Sequence, residues 1–341
     1  MDFNIKRFFL KFLLILFFSS CSQQEPFRIE FALGTVCTVM LYDQGKNSVY
    51  NEIFSKIHNI DNLMSVNNPY SDISRINRSA GIEPVQVHED TFKVIERAVY
   101  FARLSNGAFD PTVGPIVSLW GIGTENQRKP SQEEIEEILP LINWRNIELN
   151  SSTHSVYLSR EGMALDLGAI AKGYAADVAA QIVSKAGLTR ALIDLGGNIV
   201  TFGVKKDRSP WRVGIQNPNQ ERGAIIGFIQ APSEITLQTV VTSGIYERSF
   251  EENGIRYHHL FSPSQGIPAQ TGLLSVTVVT DVSMDADALS TAVFVLGYER
   301  GMELIKALPG TEAVFVFEDL SVRRTSGADF TLTDNAFLII N

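Results

Sequence analysis

Ala191-Leu192-Ile193-Asp194-Leu195-Gly196-Gly197-Asn198-Ile199-Val200-Thr201-Phe202-Gly203-Val204 sets two runs, Ala191–Asp194 and Ile199–Val204, on either side of a Gly-Gly-Asn turn signal. That is the pattern of two strands reversing on each other. Downstream, further runs follow in quick succession: Trp211–Gln216, Ile225–Gln230, Thr236–Thr242, Tyr257–Phe261 and Leu274–Val279. Asn217-Pro218-Asn219 supplies another turn between two of them. The region from 191 to 279 therefore predicts a mainly antiparallel sheet.

Helical spacing dominates upstream. Val49, Ile53, Ile57, Ile60 and Met64 mark one helix, and Phe92, Ile95, Val99 and Ala102 mark a second from about Asp90 to Leu104. Ser131 with Glu134 forms a capping box for a third, stopped by Pro140. A fourth begins after Gly168, where Ile170, Tyr174, Val178 and Ile182 recur every four residues and Gly187 closes the run. Phe31 to Tyr42 reads as paired short strands around Gly34. After the sheet region come one more helix, Asp287 to Leu296, and strands at Ala313–Phe317, Val322–Arg324 and Ala336–Ile340. Helices and strands segregate instead of alternating, which points to an α+β fold. No GxGxxG motif is present to support a Rossmann-type dinucleotide site.

The N-terminus reads as an export segment. Lys6, Arg7 and Lys11 precede the short apolar run Phe12 to Phe18, then Ser19 and Ser20 stand before Cys21. Small-small-Cys resembles a bacterial lipoprotein signal, with Cys21 lipidated; the plainer alternative is an ordinary cleaved signal. Phe18 departs from the usual Leu three residues before the cysteine. The expected organisation is a signal over 1–20, a tether over 21–30 and one folded unit over 31–341. Lipidation implies an exported protein anchored through Cys21 to a bacterial membrane, on the periplasmic face of the inner membrane if the cell is Gram-negative-like.

Without residues 1–20, which hold Lys6, Arg7, Lys11 and Asp2, the charge balance is 26 Lys+Arg against 37 Asp+Glu, or −11. That disfavours nucleic acid as a partner, because phosphate neutralisation needs a basic stripe. The chain has two cysteines, Cys21 and Cys37; with Cys21 lipidated no internal disulfide can form.

Several segments can carry chemistry. Asp166 to Asp177, D-L-G-A-I-A-K-G-Y-A-A-D, places a glycine, Lys172 and free backbone N–H groups at a helix start, with Asp166 and Asp177 flanking it. An anion is stabilised there by dipole and charge together; a strand-to-helix turn with a solvated lysine is the bland alternative. Asp287, Ser290 and Thr291 share one face of a helix, a spacing that suits Mg²⁺ as well as helix capping. Ala108-Phe109-Asp110, within the Gly- and Pro-punctuated loop from Asn106 to Pro115, offers backbone groups and a flat ring to a ligand, or a core phenylalanine. Of His258 and His259, adjacent on a strand, only one can enter a site.

Taken in order, these motifs resemble the ApbE family of flavin transferases (FAD:protein FMN transferases). The matching segments are Leu33-Gly34-Thr35, Leu63-Met64-Ser65, Ser74-Arg75-Ile76-Asn77, Gly107 to Pro115 and Asp166 to Asp177. Asp194 to Asn198, Thr242-Ser243-Gly244 with Tyr246 and Arg248, His259 to Pro263, and Asp287 to Thr291 complete the set. The resemblance implies a two-lobed fold with mainly antiparallel sheets, flanking helices and FAD between the lobes. It implies FAD contacts from Leu33, Asn67, Ala108, Phe109, Asp110, Asp166, Lys172 and Phe261. Mg²⁺ would be bound by the Ala169 carbonyl, Asp287, Thr291 and Ser290, with His259 as base and Asp287 as the catalytic carboxylate. The implied reaction moves FMN from FAD to a threonine hydroxyl of an exported flavoprotein and releases AMP.

Three departures stand out. Leu33 replaces the usual Met, Ser262 replaces the usual Asp after the histidine, and Asn67 stands where many members carry Tyr. A tyrosine there can shield the site, whereas Asn leaves it open to water. Two alternatives follow: an FAD pyrophosphatase giving FMN and AMP, and a non-catalytic FAD-binding lipoprotein.

Overall fold

A computed structural model describes residues 27–43, 47–205, 207–231 and 237–340. The expected signal segment and Cys21 lie outside the described residues. Among those residues, no helix is long and apolar enough to cross a membrane.

Nine strands form the central sheet: β1 (Phe27–Ala32), β2 (Thr35–Leu41), β3 (Ala191–Leu195), β4 (Asn198–Phe202), β5 (Leu237–Gly244), β6 (Leu273–Thr280), β7 (Glu312–Phe317), β8 (Ser321–Arg324) and β9 (Leu338–Ile339). They lie side by side in the order the chain makes them. Every neighbouring pair is antiparallel except β8 with β9. The Gly-Gly-Asn turn joins β3 to β4, pairing Leu195 with Asn198. Central β6 is buried along nearly its whole length, so it reads as an unbroken apolar run. Edge strand β1 instead alternates and leaves Phe27, Ile29 and Phe31 exposed. It starts at Phe27, inside the segment expected to be tether, because pairing from Phe27 with Met40 onward draws those residues into the sheet.

Among the described residues, eight α-helices accompany the sheets: α1 (Asn47–Met64), α2 (Asp72–Arg78), α3 (Glu89–Leu104), α4 (Gly114–Trp120), α5 (Gln132–Ile138), α6 (Ala171–Lys185), α7 (Ser283–Leu296) and α8 (Tyr298–Lys306). α6 and α7 pack on each other and on the strands, and α1 packs on α6. A small antiparallel sheet of Arg212–Gln216, Ile225–Gln230 and Phe330–Leu332 adds Val213, Ile215, Ile226, Ile229 and Phe330 to the same core. A second, separate cluster gathers Ile116, Trp120, Ile122, Ile135 and Phe261. It is built by α4, by α5 with its capping box, and by the hairpin of Ser249–Glu252 and Ile255–His258.

Candidate active site

The helix pair α6 and α7 is fixed by reciprocal capping. Asp177, on α6, accepts hydrogen bonds from the backbone N–H groups of Ser283 (2.7 Å) and Met284 (2.9 Å), the first turn of α7. Asp287, on α7, accepts from the N–H of Gly173 (2.9 Å) in the first turn of α6. Each helix thus supplies the carboxylate that satisfies the other's free N–H groups and complements its dipole. The pairing of 173 with 287 and 177 with 283 makes the two antiparallel. Gly173 lets them approach: a Cβ there would collide with the Ser283 carbonyl and lie 2.7 Å from Met284 Cα. Burial pushes the Asp177 carboxyl up to about 6, against the lowering effect of its two backbone donors. Asp177 therefore holds α7 in place and takes no part in the cavity.

The second carboxylate oxygen of Asp287 faces the Lys172 ammonium at 3.4 Å, and Lys172 also donates to the Gly168 carbonyl at 2.9 Å. Asp166 folds the approach by accepting from the Gly168 N–H at 2.7 Å. Ahead of it, the loop after α3 is zipped onto the same approach. Gly114 donates to the Ala164 carbonyl (3.2 Å) and Asp166 to the Pro111 carbonyl (2.9 Å). Asp110 locks that loop by accepting from the N–H and hydroxyl of Thr112 and from the N–H of Trp144. Burial raises its carboxyl above the ordinary value despite those donors.

These elements enclose a cavity of about 340 Å³, within the range of small-molecule sites. Leu33, Ala108, Phe109, Asp110, Asp166, Ala169, Lys172, His259, Phe261, Asp287 and Thr291 all line it. The cavity lies between the two apolar clusters: Val113, Val117, Ile122 and Phe261 border it from the small one, and the helix pair and strand ends from the large one. Leu33 sits at the tip of the β1–β2 turn with φ of 53°, a left-handed conformation uncommon for leucine. Its N–H is held by Asp61 of α1 at 2.9 Å.

Two expected residues are placed elsewhere. Asn67 is exposed in the turn after α1, its N–H on the Ser65 hydroxyl, and does not line the cavity. Ser290 is fully buried behind Thr291, donating to the Asp287 carbonyl and contacting the Ser243 hydroxyl at 2.8 Å. Ser243 in turn lies 3.3 Å from the Thr291 hydroxyl, so Ser290 supports that hydroxyl from behind.

The adjacent histidines part, but not by strand alternation: the expected strand Tyr257–Phe261 is broken, ending at His258 and leaving His259 in a bend before Phe261. His258 turns inward, edge-on to Phe294, while His259 faces the cavity. Both the N–H and Nδ1 of His259 meet the Arg248 carbonyl, at 3.2 and 3.1 Å. A carbonyl can only accept, so Nδ1 carries the proton and Nε2 keeps its lone pair. Burial and the Arg248 guanidinium push this imidazole down to about 3, so it is neutral in the free protein.

Thr35, Gly196, Asn198, Arg222, Thr242, Ser243, Glu247 and Arg248 also line the cavity. Most lie in the quoted motifs, but their place in the site comes from strand register, which spacing along the chain does not encode.

The donor set can be tested against a cation. The Ala169 carbonyl, one Asp287 oxygen and the Thr291 hydroxyl border one cavity. All are hard oxygen donors. No group of three or more His, Cys, Asp or Glu suited to a metal occurs among the described residues. The set fits Mg²⁺, which takes few protein oxygens and completes its shell with phosphate and water.

The family model for the ApbE family matches residues 33–315. The FAD:protein FMN transferase of Treponema pallidum is 38% identical over 323 residues, covering 89% of this chain and 88% of the relative. That of Klebsiella pneumoniae is 34% identical, covering 91% and 95%. A crystal structure of the ApbE protein of Thermotoga maritima superposes with a TM-score of 0.77 at 34% identity, covering 90% of this chain and 96% of that one. Matched by the family model over residues 33–315 and by relatives along most of its length, the chain belongs to the ApbE family.

Proposed function

We propose that this flavin transferase binds FAD in the cavity between its two apolar clusters and moves FMN to a threonine hydroxyl of an exported flavoprotein, releasing AMP. The observation that carries the reading is the convergence of Lys172, Asp287, Thr291 and His259 on one cavity also lined by Phe109 and Phe261. Ala169, Asp287 and Thr291 would hold Mg²⁺, which when bound neutralises pyrophosphate charge and so favours cleavage.

The chain's own residues supply the rest. Lys172 places an ammonium at the helix start, where the dipole of α6 also favours an anion. Phe109 and Phe261 give the ring systems apolar walls. His259 presents Nε2 as the proton acceptor. The threonine oxygen forms a bond to the FMN phosphorus as the P–O bond to AMP breaks. Its proton passes to His259, and the bonding pair leaves on the AMP phosphate. Cys21, lipidated, would keep the reaction at the membrane surface.

Water can replace threonine. Asn67 lies outside the lining, so its identity neither opens nor shields the cavity, and the two nucleophiles compete for the same phosphorus in the same site. Incubating the protein with FAD and Mg²⁺, with and without a threonine-bearing acceptor, separates the two. AMP formed together with a gain of one FMN on the acceptor supports transfer. AMP without acceptor supports hydrolysis, and bound FAD with neither product overturns both.

A further inference from the structure

Asn198 opens β4 directly after the Gly196-Gly197 turn and lines the same cavity. It is 2% exposed, and its side-chain amide nitrogen has no hydrogen-bond partner among the described residues. Of the buried side-chain polar atoms left unpartnered among the described residues, it is the one whose residue lines this cavity. An unpaired buried amide costs free energy, so an amide kept at such a place is normally matched by a partner that arrives later.

The surroundings indicate which partner. Gly34 and Gly196 border this part of the wall. Gly196 lies so close under Thr35 that a Cβ would collide with the threonine hydroxyl and sit 2.7 Å from its Cγ2. That space is filled by Thr35 itself, whereas a Cβ at Gly34 would meet nothing within 4 Å, so the wall is open on the Gly34 side. Asp194, whose carboxylate accepts from the Gly197 N–H at 3.0 Å, has the Arg222 guanidinium in electrostatic reach, so the two charges offset each other here. Lys172, whose ammonium suits a phosphate, stands with Asp287 at the helix pair. An amide offers a donor and an acceptor side by side, which matches the polar edge of a heteroaromatic ring.

We infer that Asn198 is a specificity-determining residue whose side-chain amide hydrogen-bonds the polar edge of one of the two rings of the dinucleotide. This rests on the proposal that the cavity binds FAD. Flavin and adenine both present adjacent donor and acceptor atoms, so the shared chemistry is a ring edge and the test separates the two rings.

The measurement is the dissociation constant for FAD by flavin fluorescence, with chelator present so that no turnover occurs. Asn198→Ala weakens binding about tenfold or more, and Asn198→Asp, which keeps the size but removes the donor, weakens it at least as much. Melting of the ligand-free variants stays near that of the unaltered protein, since the amide has no protein partner to lose. Two analogues locate the contact: one with hypoxanthine in place of adenine, one with a methyl group on N3 of the flavin. The unaltered protein discriminates against the analogue whose edge is read, and Asn198→Ala loses that discrimination.

An unchanged dissociation constant in Asn198→Ala overturns the inference, as does a variant that keeps the original discrimination against both analogues. A lowered melting temperature with unaltered FAD affinity marks a structural residue and overturns it too. If the unaltered protein itself fails to bind FAD, the proposed function falls first, and the inference with it.

Discussion

On one side of the cavity α6 and α7 meet so closely that Gly173 has no room for a methyl group, and each helix ends on a carboxylate of the other. On the other side the wall hangs on a small cluster around Trp120 and Phe261, whose rings sit 5.9 Å apart, with Trp120 tied to the Gly266 carbonyl. The first side holds Lys172 and Asp287; the second holds an aromatic face and His259, with the Arg248 guanidinium beside it. In the first, binding groups and structural groups are the same atoms. In the second, His259 is oriented by one backbone carbonyl and can be changed without removing a structural hydrogen bond from any other side chain. Substitutions on the first side should therefore damage stability and turnover together, while those on the second should separate them.

Gly173→Ala is the harshest test of that contrast. Forcing the helices apart should cost about 3 kcal/mol of stability and abolish turnover, read by denaturant unfolding alongside an AMP assay. Retained stability would show that the helix pair can slide, and the contrast would collapse. His259→Ala should do the opposite: turnover falls by about a hundred- to ten-thousandfold while melting barely moves. A comparable loss of stability would mean that His259 is as structural as the helix pair.

A smaller effect sharpens the first side alone. Folding raises the Asp177 carboxyl from 3.8 to about 6, so the folded chain binds this proton more tightly than the unfolded one. Stability from this group is then fully present below pH 4, declines as pH rises through 6 and is level above that. The difference is about 3 kcal/mol. Asp177→Asn should remove that slope when unfolding is compared at pH 4, 5 and 7; an unchanged slope would show that the group does not titrate there. Smallest of all is His258→Gln, which loses an edge contact with Phe294 and should cost about 1 kcal/mol with turnover intact. A large fall in turnover would show that the two histidines act as a unit.

Strands were legible where alternation or a long apolar run met a turn signal, as at β3–β4 and in Ile225–Gln230, whose observed ends are those expected. The capping box at Ser131 was equally plain. The start of α7 was not. Its pattern begins at Asp287, yet the helix begins at Ser283, because the carboxylate that caps it comes from Asp177, more than a hundred residues away. The loop expected over Asn106 to Pro115 hides the first two residues of α4, since Gly114 and Pro115 look like punctuation; proline at a first turn is compatible with a helix, and the Ala164 carbonyl sets where it starts. α8 follows α7 after Gly297 alone, too short a break to separate two helices by composition. At the site, residue types and motif order brought most lining residues into view. What they left hidden was depth: Asp287, Ser290 and Thr291 share a helix face, yet Ser290 sits behind the other two because β5 lies against it through Ser243.

The paired caps also bear on how this cavity can change over generations. A lineage that no longer needs the reaction could ordinarily lose Asp287 by drift, but here the same carboxylate closes the first turn of α6. Its loss would loosen the fold, so selection for a folded chain preserves the residue even where selection for turnover lapses. Asparagine is the tolerable escape, since its amide oxygen can still accept from Gly173 while the charge is gone. In natural relatives, Asn at this position would therefore be the mark of a chain that has kept the architecture and given up the chemistry.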